Sequence, residues 1–480
     1  MPGIFNMAGP RSDIHALVIG AGIGGLLSAR VLAEHVERVT IVERDHLPEG
    51  PAPRKGAPQA RHKHVMLKRG MDTLERLLPG IRTELGAACA PLVDMANDFA
   101  WLTPFGWSVR FPSEMTMLSC SRDLLECTLR RRILTMPNVH LLEGTSVTGL
   151  IPGGECVGGV KIRRFVDESG GPSAETGAIS ADLVIDASGR FSRAPQWLEE
   201  IGYDPPTDNV VNGGVHYASR IYQIPAGFDP GWRGAYVQIA PPAHPRGGVL
   251  LPIEGGRWHL TISGIAPDCP PTDERGFREL VRSLRDPVIY DAIRDAVPLT
   301  AISGYRSTEN RNRRYDQLPR QPHNFLVLGD AACAFNPVYA QGMTTAVLGA
   351  EALERSLHEL RVLEPGGSLD GLSGHFQRRL LQVTATPWAM ATLQDRKIPG
   401  AASGAPSLKD LLVSRYMDRA VARSTESARV RLALLETMNM VKPPSTLFHP
   451  RLAREVLRSP RSGIRPSAGA ESHRVSPEAS

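Results

Sequence analysis

Four short runs of apolar residues have the same form, because each ends at a glycine or an acidic residue. The runs are 16–19, 39–42, 183–185 and 325–328. Runs without apolar–polar alternation are typical of strands buried on both faces of a parallel sheet. Two runs are followed by apolar residues at helical spacing: Ile23, Leu27 and Val31 after the first, and Met343, Ala346, Val347, Ala350, Leu353 and Leu357 after the last. The pattern predicts an α/β fold in which helices cover a parallel sheet.

The middle of the chain has a different pattern. Strand-like runs at 215–222, 248–252 and 258–265 are separated by Gly and Pro turns, which predicts an antiparallel sheet. Segment 153–159 is rich in glycine but no helical pattern follows it, so we interpret it as a hairpin turn. Segment 408–458 is mostly helical in pattern, and the Ser-, Pro-, Arg- and Gly-rich tail is expected to be disordered.

The first apolar run leads into a glycine motif that indicates nucleotide binding. Gly20, Gly22 and Gly25 have the G-x-G-x-x-G spacing between a predicted strand and a predicted helix, and Glu43 ends the second strand. In this motif the glycines permit a tight turn, let a pyrophosphate approach the backbone, and allow close helix–strand packing. The acidic residue binds ribose hydroxyls. We therefore predict a Rossmann-like domain that binds the ADP half of a dinucleotide, and only one such fold in the chain.

Composition excludes several classes of protein. The chain has 480 residues, an apolar fraction of 42% and a net charge of +5 spread along its length, which makes a nucleic-acid partner a poor hypothesis. We expect the arginine clusters at 130–132 and 311–314 to be solvated. The six cysteines show neither a C-x-x-C pair nor zinc spacing, and they are expected to be buried thiols of a reducing compartment.

No signal for export or membrane insertion is visible in the sequence. The first residues carry no charged region followed by an apolar run, and no stretch of 18 apolar residues occurs. We expect a cytoplasmic protein without stable membrane insertion. A basic amphipathic helix is predicted over 411–440, with Arg415, Arg419, Arg423, Arg429 and Arg431 on a solvated face; contact with a membrane surface is the alternative.

Three further patterns leave open questions. His62 and His64 lie in a basic loop after the second strand; without a third ligand at useful spacing, we expect a polar loop near the cofactor rather than a metal site. The aromatic cluster at 99–107 fits either core packing or one wall of an apolar ligand pocket. Ser121 is a predicted N-cap, and Arg122 in the first turn is equally consistent with a phosphate or flavin contact and with a solvated side chain.

The order of these motifs resembles the FAD-dependent aromatic hydroxylase and squalene epoxidase superfamily. The resemblance covers 13–455, and it is closest to the bacterial flavin epoxidases of polyether polyketide (antibiotic) biosynthesis in the stretches 54–64, 252–258, 329–339 and 438–448. It implies an FAD-binding domain made of 13–80, 113–200 and 306–365, and a substrate domain made of 81–112 and 201–305. A C-terminal helical region, 366–458, and a disordered tail, 459–480, would follow.

The resemblance also implies the cofactor site. Its residues would be Gly20, Gly22 and Gly25 at the pyrophosphate, Glu43 with Arg44 at the adenosine ribose, Arg122 along the cofactor, Val147 near the adenine, Asp330 at the ribityl chain, and Gly342 and Met343 at the flavin pyrimidine. A helix beginning at Gly342 would direct its N-terminus at the ring that gains negative charge on reduction.

The implied function is that of a monooxygenase that uses NAD(P)H as a transient reductant. The flavin C4a-hydroperoxide would pass one oxygen atom to a hydrophobic biosynthetic intermediate, most simply by epoxidation of a polyketide alkene. Ring hydroxylation and double-bond reduction of the geranylgeranyl-reductase type are alternatives, as is a non-catalytic flavin-binding module. A halogenase is less favoured because the chain has no Trp-x-Trp-x-Ile-Pro segment.

Two departures from the hydroxylase pattern are visible. Aromatic hydroxylases commonly carry a histidine where this chain has Cys333, and their Asp-Gly pair is stretched here to Asp186 and Gly189. The first departure concerns substrate positioning and the second concerns nicotinamide docking.

Overall fold

The computed structural model describes residues 11–168, 171–360, 368–398 and 408–458; the tail 459–480, predicted to be disordered, lies outside them. The strands are β1 Arg11–Ile19, β2 Val36–Val42, β3 Leu92–Asp94, β4 Phe99–Thr103, β5 Gly106–Trp107, β6 Thr116–Leu118, β7 Val139–Leu142, β8 Thr145–Gly153, β9 Cys156–Glu168, β10 Gly171–Ser180, β11 Leu183–Asp186, β12 Asp208–Val211, β13 Val215–Gln223, β14 Gly234–Val237, β15 Arg246–Ile253, β16 Arg257–Ile265, β17 Ser303–Tyr305, β18 Asn310–Arg313, β19 Phe325–Val327 and β20 Cys333–Ala334.

The helices are also numbered in chain order. They are α1 Ile23–Ala33, α2 Lys68–Leu77, α3 Ile81–Ala87, α4 Arg122–Ile133, α5 Ala194–Glu200, α6 Glu274–Arg282, α7 Val288–Ile293, α8 Gly342–Glu359, α9 Leu372–Asp395, α10 Leu408–Arg423, α11 Ala428–Met438 and α12 Pro450–Leu457. Short 3-10 turns occur at Pro58–Arg61, Tyr315–Gln317, Gly329–Ala331, Pro337–Tyr339 and Pro444–Phe448.

The predicted parallel sheet is present and contains all four apolar runs. Its order is β19-β11-β1-β2-β7, and every neighbouring pair is parallel. The inner strands are buried on both faces, which explains their continuous apolar sequence. Helices α1, α8 and α9 pack in succession beside this sheet, and all six predicted apolar positions of α8 are buried. The predicted α/β fold class is thus confirmed.

A seven-stranded sheet occupies the middle of the chain. Its order is β17-β13-β16-β15-β14-β4-β5. All of its pairs are antiparallel except β4 with β14, which is parallel. Helices α6 and α7 cover one face with Phe277, Val281 and Ile289, so the other face is available to line a cavity. The domain boundaries given above remain predictions.

The glycine-rich segment 153–159 forms a hairpin, as predicted. Strands β8 and β9 pair antiparallel, and Gly153 lies opposite Cys156 at the turn. Because β9 runs on as a strand and no helix begins there, this segment does not form a second nucleotide loop.

The predicted single helix over 411–440 is wrong in two respects. Helix α10 ends at Arg423 and α11 begins after Ser427, whose hydroxyl caps it by accepting the Val430 N–H. Arg431 is fully buried rather than solvated. Its guanidinium donates hydrogen bonds to the backbone carbonyls of Phe99 in β4 and of Met95 and Val109, which lie just before β4 and just after β5. Arg431 therefore attaches the C-terminal helices to the seven-stranded sheet.

Other predictions of exposure need correction as well. Arg130 and Arg313 are buried rather than solvated, and they donate to the carbonyls of Pro48 and Ala331. Among the cysteines, Cys120, Cys127 and Cys333 are buried, but Cys89 and Cys269 are exposed and Cys156 is half-buried. In the described ranges, no helix combines the length and the apolar character that a membrane span requires.

Candidate active site

A cavity of about 450 Å³ lies where β1 and β2 end and α1 begins. The carboxyl edge of a parallel sheet is the usual place for ligands in such folds. Nine of the ten residues predicted to bind the cofactor line this cavity: Gly20, Gly22, Glu43, Arg44, Arg122, Val147, Asp330, Gly342 and Met343. Residues far apart in the chain therefore meet at one cavity, and their individual roles toward a cofactor remain predictions.

The three glycines of the motif differ in their surroundings. Gly20 has a φ of +97°, a left-handed conformation that favours glycine. Gly25 does not line the cavity; a Cβ built there would lie 1.9 Å from the Gly20 carbonyl oxygen, so this position allows close packing of α1 on β1. A Cβ on Gly22 would have only Arg54 within 4 Å among the described atoms. The backbone there is open to a ligand at the N-terminus of α1.

The Glu43 carboxylate is held in place by the protein itself. Its Oε2 accepts the Ala21 N–H at 2.8 Å, and its Oε1 accepts the Asp45 N–H at 3.0 Å. Nη1 of Arg54 lies 3.1 Å from Oε2. These contacts orient the carboxylate at the end of β2, in the cavity wall.

Arg54 is a residue of this site that the sequence interpretation did not single out. Its side chain is 9% exposed, and it contacts three carboxylates, those of Glu43, Asp45 and Glu126, at distances between 2.6 and 3.2 Å. The sequence placed Arg54 in a basic loop near the cofactor, but its partners come from separate elements. No spacing rule connects them.

The cavity carries an excess of positive charge. Two acidic residues, Glu43 and Asp330, line it together with eight basic ones: Arg44, Arg54, Lys55, Lys63, Arg122, Arg163, Arg190 and Arg193. Arg122 begins α4, whose N-cap is Ser121, as predicted; the Ser121 hydroxyl accepts the Leu124 N–H at 3.1 Å. A basic cavity beside the N-termini of α1 and α8 suits a pyrophosphate.

The second of these helix N-termini belongs to α8. Helix α8 begins at Gly342, and Gln341, Gly342 and Met343 all line the cavity. Gln341 is buried, and its Oε1 atom has no hydrogen-bond partner within the described part of the chain. A buried polar atom without a partner is costly, so this amide indicates a ligand that supplies one.

These features fit an FAD molecule. Gly22 leaves space for the pyrophosphate, Glu43 is oriented for ribose hydroxyls, and Asp330 lies beside the start of α8. The α8 N-terminus and Gln341 would meet the flavin pyrimidine. When bound, FAD would supply the redox chemistry that no protein side chain provides.

The Asp330 assignment can be tested directly. We expect Asp330→Ala to weaken FAD binding about tenfold, because a charged acceptor would be lost from the cofactor hydroxyls. Flavin fluorescence titration of the apoprotein measures this affinity. Asp291, which is half-exposed on α7 and outside the cavity, provides the control variant Asp291→Ala. Equal affinities for both variants would exclude Asp330 as a ligand.

A second cavity of about 590 Å³ lies between the open face of the seven-stranded sheet and the C-terminal helices. Its lining is mainly apolar and includes Met95, Phe99, Trp101, Met117, Tyr236, Val249, Leu251, Met390, Leu393, Val413, Met417, Leu434, Leu435 and Phe448. The aromatic cluster at 99–107 thus serves both alternatives: β4 and β5 form a hairpin, and Phe99 and Trp101 line the cavity.

The two cavities share a wall. Both are lined by Gln59, Lys63, His64, Val65, Tyr305, Pro337, Ala340 and Gln341. The Gln341 amide at the start of α8 therefore lies at their junction. A flavin ring in the first cavity would face the contents of the second across this wall.

Polar groups near the junction are buried and held by hydrogen bonds. Nδ1 of His62 lies 2.8 Å from the Ser219 hydroxyl, which is 2.6 Å from that of Thr261. Burial lowers the pKa of His62 to about 4, so the ring is neutral at pH 7. Burial also lowers the pKa of Lys63 to about 8; its ammonium donates to the Ser119 hydroxyl and the Cys120 carbonyl.

A buried carboxylate supports the sharp turn that precedes α8. Asp395 accepts hydrogen bonds from Asn310, Asn336 and Tyr339, and burial raises its pKa. Tyr339 also lines the second cavity. This network fixes the segment between Asn336 and Gly342, on which the geometry of the junction depends.

His64 lies in the wall shared by the two cavities, whereas Cys333 lies in neither cavity wall. His64 is buried, with Nε2 2.7 Å from the Gln59 carbonyl; no group of three or more potential metal ligands occurs among the residues that the structure describes. Cys333 is buried and lines neither cavity, so it does not take the place of the hydroxylase histidine at a substrate. Ala187, Ser188 and Gly189, which follow Asp186, line the first cavity.

Known proteins share both sequence and fold with this chain. Protein Rv3254 of Mycobacterium tuberculosis is 34% identical over 389 residues, which cover 79% of this chain and 80% of that protein. Squalene monooxygenase SE2 of Panax ginseng is 24% identical over 392 residues, covering 76% of this chain and 61% of that protein. The solved structure of the flavin-dependent brominase Bmp2 superposes with a TM-score of 0.64 at 13% identity and covers 88% of this chain and 93% of that one; this likeness concerns the fold alone.

The family is shown by a match over most of the chain. The FAD binding domain family model matches residues 13–364, the range that contains the glycine motif, Glu43, Arg122, Asp330 and the start of α8. The chain therefore belongs to the FAD-binding domain family.

Proposed function

We propose that this protein inserts one oxygen atom from dioxygen into a hydrophobic biosynthetic intermediate, by epoxidising an alkene of a polyene or polyketide chain. The observation that carries the proposal is the wall shared by the basic FAD cavity and the larger apolar cavity. An apolar cavity of about 590 Å³ takes an extended hydrocarbon better than a charged metabolite.

Within this proposal, FAD would supply the redox and oxygen-transfer chemistry when bound, with NAD(P)H as the source of electrons. The protein binds the cofactor and the substrate and keeps water from the junction. The neutral His62 ring and the mainly apolar lining of the second cavity suit a dry site. The α8 N-terminus would stabilise negative charge on the reduced cofactor, and Gln341 Oε1 would accept a hydrogen bond from the cofactor.

NAD(P)H would dock only transiently, at the outer side of the first cavity. Phe191 is 68% exposed there and is flanked by Arg190 and Arg193, and all three residues line the cavity. An exposed aromatic ring between two arginines offers stacking together with phosphate contacts. No second dinucleotide-binding unit is needed for such a visit.

Epoxidation is favoured over ring hydroxylation by sequence similarity. Two of the relatives are squalene monooxygenases, from Panax ginseng and Brassica napus, each 24% identical to this chain. Squalene, the molecule after which those proteins are named, is a polyene. We extend this substrate class to the present chain because its second cavity is apolar.

The experiment is a single-enzyme oxygenation assay with isotopically labelled dioxygen. Holoenzyme and NADPH are incubated with squalene as a probe alkene and, separately, with an alkylphenol as a probe ring. We expect one labelled oxygen atom in an epoxide product. Anaerobic loss of the double bond would instead identify a reductase, and hydrogen peroxide as the sole product with every probe would contradict the proposal.

A variant that fills the cavity separates substrate binding from cofactor binding. Val249 lies on β15 and lines the apolar cavity but not the FAD cavity. We expect Val249→Trp to reduce product formation at least tenfold because the added ring occupies the substrate space, while the FAD content of the purified protein stays unchanged. Loss of FAD together with product would contradict the separation of the two cavities.

A further inference from the structure

Exposed apolar side chains cluster where the second cavity meets the protein surface. Met438 and Phe448 both line the cavity, yet they are 40% and 46% exposed. The mouth of the cavity therefore lies beside the end of α11 and the 3-10 turn Pro444–Phe448. Val441, between these two residues in the chain, is also exposed.

Helix α10 extends this apolar surface, because it has two apolar faces instead of one. Val413, Met417 and Val421 recur every four residues and line the cavity. Leu408, Leu411 and Leu412 are exposed by 75%, 46% and 59%. A helix on the surface of a protein in water normally buries its single apolar face, so a second face points to a contact with something apolar.

The exposed leucines are connected to the cavity mouth. Leu412 lies one helical turn before Tyr416, and the Tyr416 ring stacks on Phe448 with centroids 4.7 Å apart. The Tyr416 hydroxyl also donates to the Leu447 carbonyl. The leucines, Phe448, Met438 and Val441 thus form one surface, which we call the apolar rim.

The C-terminal segment that carries the apolar rim is positively charged. Segment 408–458 contains ten Lys or Arg against five Asp or Glu, a net charge of +5 that equals that of the whole chain. Asp418 is paired with Lys397, Glu436 with Lys442, and Glu426 with Arg423. The exposed cations of this segment are Lys409, Arg415, Arg419, Arg429, Lys442, Arg451, Arg454 and Arg458.

We propose that the apolar rim is a peripheral binding surface for an anionic lipid bilayer. Leu408, Leu411 and Leu412 enter the interface between headgroups and acyl chains, and the exposed cations of the same segment contact anionic headgroups. Apolar side chains together with lysine and arginine are the composition that interfacial helices use. A hydrophobic substrate then passes from the bilayer into the cavity mouth without crossing water; this second statement rests on the proposed function, whereas the binding does not.

Vesicle sedimentation tests the binding without any substrate. Full-length holoenzyme is centrifuged with vesicles of phosphatidylcholine alone and of phosphatidylcholine with phosphatidylglycerol. We expect sedimentation with the anionic vesicles that falls as salt is raised. The triple variant L408Q/L411Q/L412Q should bind at least tenfold more weakly, and removal of two charges, as Lys409→Gln with Arg415→Gln, should lower affinity about fivefold per charge.

A matched control replaces an exposed leucine elsewhere. Leu299 is 45% exposed and lines neither cavity, so Leu299→Gln should bind vesicles like the unmodified protein. Unchanged FAD content and melting temperature show that each variant is folded. Equal binding by the triple variant and the control, or no sedimentation at low salt, would overturn the proposal.

Two other results would assign the rim to a different partner and also overturn the proposal. The first is a dimer, seen by sedimentation velocity at increasing protein concentration and abolished by the triple variant; it would identify a second copy of the chain as the partner. Binding to an acidic carrier protein but not to vesicles identifies a protein partner. If vesicle binding fails but labelled oxygen is still incorporated, the proposed function stands and the lipid-binding surface does not. If vesicles bind but no labelled oxygen is incorporated, the lipid-binding surface stands and the proposed function does not.

Discussion

Replacing Arg54 by methionine is expected to lower the free energy of unfolding by about 4 kcal/mol, since it leaves buried carboxylates without their counter-charge. Arg54 Nη1 lies 3.1 Å from Glu43 and 3.2 Å from Asp45, and Nε lies 2.6 Å from Glu126. All four side chains are largely buried, so water cannot take over the role of the arginine. Urea unfolding of the apoprotein measures the change.

The same replacement should also release the flavin. Without Arg54, the Glu43 and Asp45 carboxylates would lose the guanidinium that contacts both, while Glu126 would retain Arg122 at 3.5 Å, and the orientation of Glu43 toward the cavity would be weakened. Arg54→Lys is expected to recover only part of the loss, because one ammonium cannot reach three carboxylates as a guanidinium does. Flavin content after gel filtration reports the effect on the site.

Arg76 provides the matched control. It too contacts two carboxylates, those of Glu351 and Glu354, but its side chain is 47% exposed. Arg76→Met should therefore cost about 1 kcal/mol or less, as exposed ion pairs do. Equal losses for the two variants would show that burial of the Arg54 cluster does not determine its contribution.

Gly25→Ala is the second substitution with a large expected effect. The added methyl group would lie 1.9 Å from the Gly20 carbonyl oxygen, which is far inside contact distance. Gly20 cannot move away, because its N–H donates to the Val42 carbonyl at 2.8 Å and Ala187 lies directly beyond it. We expect a loss of about 3 kcal/mol in unfolding free energy and no detectable flavin.

Gly22→Ala separates the cofactor effect from the folding effect. Gly22 has ordinary extended angles, and its new methyl group would have only Arg54 within 4 Å among described atoms, at 3.9 Å. Stability should change by about 1 kcal/mol or less. FAD affinity should nevertheless fall at least tenfold, because the methyl group occupies the space for the pyrophosphate. Parallel losses of stability and affinity in both variants would contradict these separate roles.

Features that depend on residues close in the chain could be read from the sequence. The parallel strands, helix α1 with its glycine turn, the Ser121 cap, the hairpin at 153–159 and the start of α8 at Gly342 all follow from local rules. Apolar periodicity and backbone conformation act within a few residues, so each element carries its own signal. Glu43 could be placed at the site because its distance from the glycines along the chain is set by one βαβ unit.

Features that depend on contacts between residues far apart in the chain could not be read from the sequence. Arg431 looked like one more solvated arginine, and Arg54 like part of a polar loop, because their partners Val109 and Glu126 lie far away in the chain. The exposed leucines of α10 have the same apolar pattern as a buried helix face, and the helical pattern over 411–440 did not reveal the break between α10 and α11.

The sequence by itself determined the FAD-binding fold, since strand, turn and helix signals are local, and its resemblance to known flavoproteins correctly placed nine of the ten predicted cofactor residues in the cavity wall. Only the tertiary structure decided that Arg54 joins three carboxylates, that the apolar cavity shares a wall with the FAD cavity, and where that cavity opens. Burial of a charge or exposure of a leucine is a property of how elements pack, and residue type alone does not specify it.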